Sequence, residues 1–249
     1  MSPNDQDIWH TVYNEEFDGL NSLPTWDVLT DDQFKRLNKG TKALPSMEIA
    51  TIKFDEFNRP KRAKYRIIVM GNFDYHIWSK ESTAAPVMSQ LGIRVLTSLA
   101  VHKCRVLKNC DIEQAFVQSS LPDDEVYCVK PRVGCPRSKP GTYWRLLYSL
   151  YGLRWAPRLW FEKLRDHLLS LGLKQSSKSP CLFVGTLIER QPPIYIGIYV
   201  EDIVYFSASD QVERLLEQKL STIGNVDFMG QVSHFLALNF LGITMMMVI

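Results

Sequence analysis

The sequence IYIGIYVEDIVYF occupies residues 194–206 and consists of two apolar runs separated only by Glu201 and Asp202. Runs of β-branched and aromatic residues of this length predict two β-strands, Ile194–Val200 and Ile203–Phe206. The two residues between them predict a tight hairpin, although the turn lacks the glycine that such hairpins usually favour. We therefore expect an antiparallel strand pair with an acidic tip.

Acidic side chains stand at two places where apolar strands end. Asp111 lies near the end of a strand predicted over Arg105–Ile112, and Glu201 and Asp202 form the tip of the hairpin. Carboxylates flanked by apolar neighbours are costly unless something compensates their charge, and a divalent cation is one such compensation. Acids on separate strands suit two Mg²⁺ ions that hold the attacking and leaving oxygens of a phosphoryl transfer. Spacing alone, however, favours ordinary polar residues at a turn and a strand end.

The rest of the chain predicts a mixture of helices and strands. A helix over 88–101 is predicted because the apolar residues Val87, Leu91, Val95 and Leu99 recur at helical spacing after Pro86. A second helix starts near Pro157 and ends before Gly172. Asp210 followed by Glu213 resembles a capping box that opens a third helix to about Ile223. With strands predicted over 126–129 and 143–147, this order indicates an α+β fold in which helices pack on one face of an antiparallel sheet.

The composition is that of a globular protein, with 45% hydrophobic and 22% charged residues among 249. The five cysteines form no Cys-x-x-Cys pair and one is left over, so we expect reduced thiols and no cysteine metal site. Residues 2–18 are polar and acidic, so we expect no signal or transit peptide. The apolar stretch Phe235–Ile249 is shorter than the ~20 residues of a membrane helix. A cytoplasmic or nuclear protein without membrane association is therefore expected.

A basic run lies between residues 53 and 66 and contains Lys53, Arg59, Lys61, Arg62, Lys64 and Arg66. The net charge of the chain is only +2, so the position of the positive charge matters more than its sum. Such a run most often forms a solvated face, and by itself it is weak evidence for phosphate binding.

Three segments carry a family resemblance. SLYGLRWAPRLW (149–160), YVED (199–202) and CDIEQAF (110–116) are similar to the SLYGLKQAPRxW, YVDD and LDVxxAF blocks of copia-type LTR retrotransposon reverse transcriptases. Further matches follow the family's order: Trp9, Glu15, Glu16, Trp26, KYRIIVMG (64–71), TAAPV (83–87), PCLFV (180–184) and HFLALNF (234–240). The series covers residues 9–240, and an ordered series is a much stronger signal than one short motif.

The resemblance implies a right-hand polymerase fold. This fold is α+β, with fingers, a palm whose antiparallel sheet is backed by helices, and here a thumb that is absent or vestigial. The expected boundaries are a disordered tail at 1–8, fingers mainly at 9–104 and 117–155, a palm around 105–116 and 156–235, and a truncated hydrophobic tail at 241–249. In an intact element the remainder of a pol polyprotein, with integrase and ribonuclease H, would accompany this region.

The resemblance also assigns roles to individual residues. The catalytic and metal-binding set is Asp111, Glu201 and Asp202, with the carbonyl of Ile112 as a further ligand. The nucleotide-binding set is Lys64, Arg66 and Phe116, the last as an aromatic gate against a ribose 2′-hydroxyl. The residues that face the template and primer are Tyr151, Gly152, Arg158 and Tyr199. The implied cofactor is Mg²⁺, with Mn²⁺ as an alternative, and the implied partners are an RNA or DNA template–primer and deoxynucleoside triphosphates.

The sequence departs from the family pattern in three places. Glu201 replaces an aspartate and is longer by one methylene, which would displace a metal pair held ~3.5–4 Å apart. Trp155 replaces a glutamine with a bulky indole, which would obstruct the nucleotide if this position contacts it. Ala237 and Leu238 replace the Leu-Gly of the last block.

Three interpretations of the function remain. The first is an RNA-directed DNA polymerase. The second is a catalytically inactive transposon relic that binds nucleic acid weakly through residues 59–66 and the loop Lys130–Lys139. The third is an unrelated α+β domain whose carboxylates are only turn and strand-end residues, and the ordered blocks argue against it.

Overall fold

The structure is a computed structural model that describes residues 3–37, 42–54, 57–74, 79, 83–122, 125–232, 234–235 and 238–239. The chain divides into two compact units. The first comprises Met1–Thr83 and Phe116–Leu159, and the second comprises Ala84–Ala115 and Trp160–Ile249. Each unit is therefore built from two separate stretches of sequence.

The helices and strands are, in chain order, α1 (Pro3–Ser22), β1 (Trp26–Thr30), α2 (Asp31–Leu37), β2 (Leu44–Phe54), β3 (Pro60–Val69), α3 (Gln90–His102), β4 (Lys108–Ile112), β5 (Cys128–Lys130), β6 (Thr142–Leu146), α4 (Ala156–Ser170), β7 (Lys174–Gln175), β8 (Leu182–Gly185), β9 (Ile194–Tyr199), β10 (Asp202–Ser207), α5 (Asp210–Leu220), β11 (Val226–Gln231), β12 (His234–Phe235) and β13 (Leu238–Asn239). Short 3-10 helices span Gly71–Phe73 and Ala115–Gln118.

The first unit contains a five-stranded sheet with the order β1-β6-β5-β2-β3. Its pairs are antiparallel except for β2 and β5, which are parallel. The core of this unit is rich in aromatic residues: Trp26 and Trp144 stack with their ring centroids 4.6 Å apart, next to the fully buried Leu20 and Ile67. The strands β2 and β3 pair along most of their length as a long ribbon that carries the basic run.

The second unit contains a six-stranded antiparallel sheet with the order β11-β4-β10-β9-β8-β7. The predicted hairpin is confirmed as β9 and β10, which pair from Tyr199–Asp202 to Ile194–Ser207. Its turn is formed by Val200 and Glu201 and not by Glu201 and Asp202, because Asp202 already pairs with Tyr199 as the first residue of β10. Helix α3 packs on β9 and helix α5 packs on β10. Ile196 and Ile203 are fully buried. The predicted antiparallel sheet with packed helices is therefore confirmed for this unit.

The buried face of α3 differs from the predicted apolar face. Leu91 and Val95 are 69% and 42% exposed, whereas Met88 and Leu96 are buried. A Cβ atom at Gly197 would lie 2.5 Å from Leu96 and 2.6 Å from Met88, so these two side chains fill the space above the glycine in β9. Helix α3 and β9 both belong to the second unit.

The start of α5 also differs from the prediction. The proposed capping box between Asp210 and Glu213 is wrong, because the N-cap is Ser209, which makes no side-chain capping bond. The carboxylate of Glu213 instead accepts a hydrogen bond from the Ser207 N–H at 2.8 Å. Glu213 therefore ties the first turn of α5 to the end of β10.

Glu213→Gln is expected to lower the free energy of unfolding by about 2 kcal/mol, because the buried carboxylate is paired with cations. The side chain of Glu213 is 1% exposed and lies 2.8 Å from Lys108 Nζ and 3.7 Å from Arg105 Nη2. Glutamine keeps an oxygen for the Ser207 N–H but removes the counter-charge. Urea denaturation measures the change, and Asp210→Asn is the control, since it removes only the exposed partner of Arg105. Equal shifts in the two variants would contradict this account.

Two expectations concern the ends of the chain. Helix α1 begins at Pro3, so residues 3–8, which were expected to be disordered, are helical. Of the block HFLALNF, the structure describes only the paired strands β12 and β13, and Ala237 and residues 241–249 lie outside the described residues. Among the described helices, none combines the length and the apolar character needed to cross a membrane.

Candidate functional site

Three carboxylates lie in one row across adjacent strands of the second unit. Asp202 on β10 is the Cα partner of Asp111 on β4, and Asp111 is in turn the partner of Asp227 on β11. Partners directly opposite each other in an antiparallel ladder project to the same face, with Cβ atoms about 4.5–5.5 Å apart. Glu201 immediately precedes Asp202 and lies in the turn between β9 and β10. The fold thus brings together the predicted acids Asp111, Glu201 and Asp202.

The backbone beside Asp111 connects β4 to the hairpin. The Ile112 N–H donates a hydrogen bond to the Glu201 carbonyl at 3.2 Å. Because the N–H and C=O of a strand residue point towards the same neighbouring strand, the Ile112 carbonyl also faces the hairpin. The backbone of β4 beside Asp111 is thus tied to the hairpin turn.

A buried thiol lies directly behind the carboxylates. Burial, followed by the charges of Asp111, Glu217, Asp202 and Asp227, raises the pKa of Cys110 to about 12. Successive side chains of a strand point to opposite faces, so the Cys110 thiol lies on the face of β4 away from Asp111. Within the described ranges, no three His, Cys, Asp or Glu side chains already enclose a metal position. Mg²⁺ needs only one or two carboxylates together with substrate phosphates, however.

Asp227 is a member of the row that the sequence analysis missed. It lies in the segment NVDFMG (225–230), which matches none of the motifs found in the sequence, and only its pairing with Asp111 brings it into place. Asp227 also lines an open polar depression with Glu113 and Asn225. No local signal could have identified it, because the strand pairing is long-range.

In the first unit, Arg66, Phe116 and Tyr151 form one cluster. The guanidinium carbon of Arg66 lies 5.6 Å from the centroid of the Tyr151 ring, and the Phe116 ring meets the same ring edge-on at 5.1 Å. In the part of the chain that the structure describes, the buried Nε of Arg66 has no hydrogen-bond partner. A buried donor in this state indicates a place where a ligand or water supplies the acceptor. Two predicted nucleotide-binding residues and one predicted template residue are thus brought together.

Tyr151 is held in place by close backbone packing around Gly152. Gly152 has a φ of +91°, and a Cβ atom there would lie 1.9 Å from the Val69 carbonyl oxygen, so only glycine fits. The Val69 N–H donates to the Tyr151 carbonyl at 2.7 Å. Arg154 Nε donates to the Gly71 carbonyl at 2.9 Å and ties the same turn to the end of β3. Gly152 and Arg154 therefore fix the turn that carries Tyr151 against the strand that carries Arg66.

The other predicted residues fall in both units. Lys64 lies two residues before Arg66 on β3 and so on the same side of that strand. Arg158 is in the first turn of α4, within the first unit. Tyr199 ends β9 in the second unit and pairs with Asp202.

Trp155 has a role in the core of the first unit. Its indole is partly buried against the core cluster, and its ring lies 5.9 Å from the ring of Tyr127. A side chain engaged in this way is not free to fill a nucleotide pocket. The structure therefore argues against the expected obstruction by Trp155.

A family model described as reverse transcriptase (RNA-dependent DNA polymerase) matches residues 25–249. The retrovirus-related Pol polyprotein from transposon RE2 of Arabidopsis thaliana is 29% identical over 198 residues, which cover 80% of this chain and 13% of that protein. The corresponding polyprotein from transposon TNT 1-94 of Nicotiana tabacum is 24% identical over 90% of this chain and 16% of that protein.

Among solved structures, a foamy viral protease–reverse transcriptase in complex with double-stranded DNA gives a TM-score of 0.40 at 14% identity. The match covers 80% of this chain and 29% of that one. The chain spans only 13% and 16% of the two plant polyproteins. The family match, in contrast, includes both the carboxylate row and the Arg66 cluster. The chain therefore belongs to the reverse transcriptase (RNA-dependent DNA polymerase) family and corresponds to the reverse transcriptase region of copia-type retrotransposon Pol polyproteins.

Proposed function

We propose that this chain is the RNA-directed DNA polymerase region of a retrotransposon polyprotein, with fingers in the first unit and a palm in the second. The observation that carries the proposal is the register of Asp111 and Asp202 with Glu201 at the adjoining turn. In the proposed reaction the 3′-hydroxyl of a primer gives up its proton to water, and its oxygen bonds to the α-phosphorus of a deoxynucleoside triphosphate. The bond from that phosphorus to the bridging oxygen breaks, and pyrophosphate leaves.

Asp111 and the acids of the hairpin fit Mg²⁺ or Mn²⁺ by the chemistry of their donors. Asp111, Glu201, Asp202 and the Ile112 carbonyl offer oxygen atoms, which these cations prefer. When bound, such ions stabilise the charge on the attacking and leaving oxygens. The protein's own part is to hold the oxygens in place. The β4–β10 ladder fixes the two aspartates, and the Ile112 N–H fixes the backbone of Glu201.

The Arg66 cluster supports binding of the incoming nucleotide in the first unit. The guanidinium of Arg66 has a buried donor available for a phosphate oxygen, and charged bonds of this kind are strong. The Tyr151 ring contacts both the guanidinium of Arg66 and the ring of Phe116. We assign to Phe116 a contact with the sugar of the incoming nucleotide, where the size of the aromatic ring excludes a 2′-hydroxyl.

Arg66→Gln is expected to weaken binding of a deoxynucleoside triphosphate by about twentyfold, the cost of one hydrogen-bonded charge. Equilibrium binding of the nucleotide alone measures the effect without any need for catalysis. The matched control is Arg62→Gln, which removes an exposed arginine from the same strand. If the two variants weaken binding equally, the nucleotide senses only the general charge of the ribbon, and the assignment of Arg66 is wrong.

The second candidate function is that of an inactive relic that binds nucleic acid, and the ribbon β2–β3 favours it. Arg59, Lys61 and Arg62 are exposed there. The loop Lys130–Lys139 is less suitable than expected, because two of its cations are already paired: Arg132 with Glu48, and Arg137 with Asp18. If the chain is an inactive relic, its nucleic-acid-binding surface therefore lies mainly on the ribbon β2–β3.

Primer extension and template–primer binding, measured on the same preparation, separate the two functions. A polymerase incorporates deoxynucleotides only when Mg²⁺ or Mn²⁺ is present. A relic binds the template–primer with an affinity that falls steeply with salt and incorporates nothing. Incorporation that is independent of divalent cations would contradict the proposed role of the carboxylate row.

A further inference from the structure

The turn at the tip of the carboxylate hairpin is strained. Val200 and Glu201 are its two central residues, and of these only Val200 has a positive φ, +56°. This pattern defines a type II′ turn, whose first central position favours glycine. A β-branched residue in the left-handed region is a rare outlier. An interaction outside the turn is therefore needed to hold Val200 in this conformation.

A buried tryptophan supplies that interaction. The Trp160 indole N–H donates a hydrogen bond to the Val200 carbonyl at 2.8 Å, and Trp160 is 1% exposed. Both residues belong to the second unit. Trp160 ends the segment SLYGLRWAPRLW, and Val200 belongs to YVED, so the bond joins two of the segments that carry the family resemblance.

We propose that Trp160 is a positioning residue that locks the hairpin turn through the Val200 carbonyl. Without the bond, Val200 can relax to a negative φ, which gives a type I turn. Type I turns splay the strands of a two-residue hairpin, because their twist does not match that of the strands. Splaying would move Glu201 and Asp202 out of register with Asp111. The functional part of this inference rests on the proposed role of these acids, whereas the structural part does not.

The proposal gives the indole N–H a role that core packing alone does not require. A phenylalanine at position 160 would fill most of the same space but could not donate to the carbonyl. The loss would then act on the turn, not on the core. Removing the strain at Val200 should compensate for it, since glycine adopts a φ of +56° without cost.

Amide hydrogen exchange of Trp160→Phe, without nucleotide or metal, tests the structural part. We expect exchange from Tyr199 to Ile203 to become about fivefold faster, as for the loss of one hydrogen bond, with little change elsewhere in the second unit. Adding Val200→Gly is expected to restore slow exchange. Trp144→Phe, an equally buried tryptophan in the first unit, should leave the hairpin unchanged. In the unmodified chain, the Trp160 indole N–H itself should exchange slowly.

Three results would overturn the proposal: uniformly faster exchange in Trp160→Phe, failure of Val200→Gly to rescue, or a fast-exchanging Trp160 indole in the unmodified chain. The last measurement applies even if Trp160→Phe does not fold.

Line broadening of the Asp202 amide by Mn²⁺ then tests the functional part. Trp160→Phe should weaken this broadening, and adding Val200→Gly should restore it. If the unmodified chain shows no broadening while the exchange results hold, the metal assignment fails and the positioning role stands.

Discussion

Asp111→Asn is expected to lower the rate of nucleotide incorporation by at least about a thousandfold, because metal ions stabilise the transition state by several kcal/mol. Asp111 lies at the centre of the row, with Asp202 on one side and Asp227 on the other. Asparagine preserves the size of the side chain and removes the charge. Single-nucleotide primer extension measures the rate. If the unmodified chain is too slow to follow, the same change is compared in a Glu201→Asp background.

The same substitution should make the fold slightly more stable. Like charges directly opposite each other destabilise a ladder, and each such pair costs about 0.2–1 kcal/mol. Asp111 takes part in two of these pairs, so its neutralisation relieves both. Asp111→Asn is therefore expected to lower the rate of incorporation and to raise the urea concentration at the midpoint of unfolding. If activity were lost through misfolding, both quantities would fall.

Asp227→Asn is the matched control for Asp111. It relieves one of the two repulsions but removes an acid to which the family resemblance assigns no role. We expect about half of that gain in stability, with a far smaller loss of incorporation. Equal losses in the two variants would mean that Asp227 shares the metal site, and undiminished activity in Asp111→Asn would refute the assignment of the row.

The elements that could be predicted from the sequence are those that local patterns determine. The β9–β10 hairpin was predicted because two apolar runs flank two acidic residues. Helix α4 was predicted because its apolar residues follow one face, and Gly172, with a φ of +83°, lies just beyond its end. In these segments the local sequence alone predicts that the two strands and the helix form.

Other elements depend on contacts that are distant in the sequence. Helix α3 has apolar residues on two faces, and the glycine at position 197 of β9 determines that Leu96 is buried and Leu91 is not. The ribbon β2–β3 was missed because much of it is exposed and basic and lacks an alternating apolar pattern. Such elements become visible only when their partners are known.

The candidate site shows the same division. Its acids were found through the family resemblance, since spacing alone favoured ordinary turn residues. The register of Asp202 with Asp111, the addition of Asp227 and the bond from Trp160 to Val200 all join residues far apart in the chain. None of these contacts leaves a local pattern, and all of them determine how the hairpin is held.

Glu201→Asp is expected to raise the rate of incorporation by about a hundredfold, since a misplacement of 1 Å at a reacting centre costs about this factor. The Ile112 N–H binds the Glu201 carbonyl at 3.2 Å, and Val200 before it is held by Trp160. The backbone at position 201 therefore cannot retreat to offset the extra carbon–carbon bond, about 1.5 Å long. Aspartate removes that excess length and keeps the charge.

The matched control for this change is Glu113→Asp, which shortens an exposed glutamate beside the row by the same methylene. It should leave incorporation unchanged. Equal rates in the unmodified chain and in Glu201→Asp would show that the hairpin adapts to glutamate and that the turn is less rigid than its contacts imply. If neither protein incorporates nucleotides but both still bind the template–primer in a salt-sensitive way, the inactive relic is favoured. In that case aspartate at position 201 restores the family's residue without restoring activity.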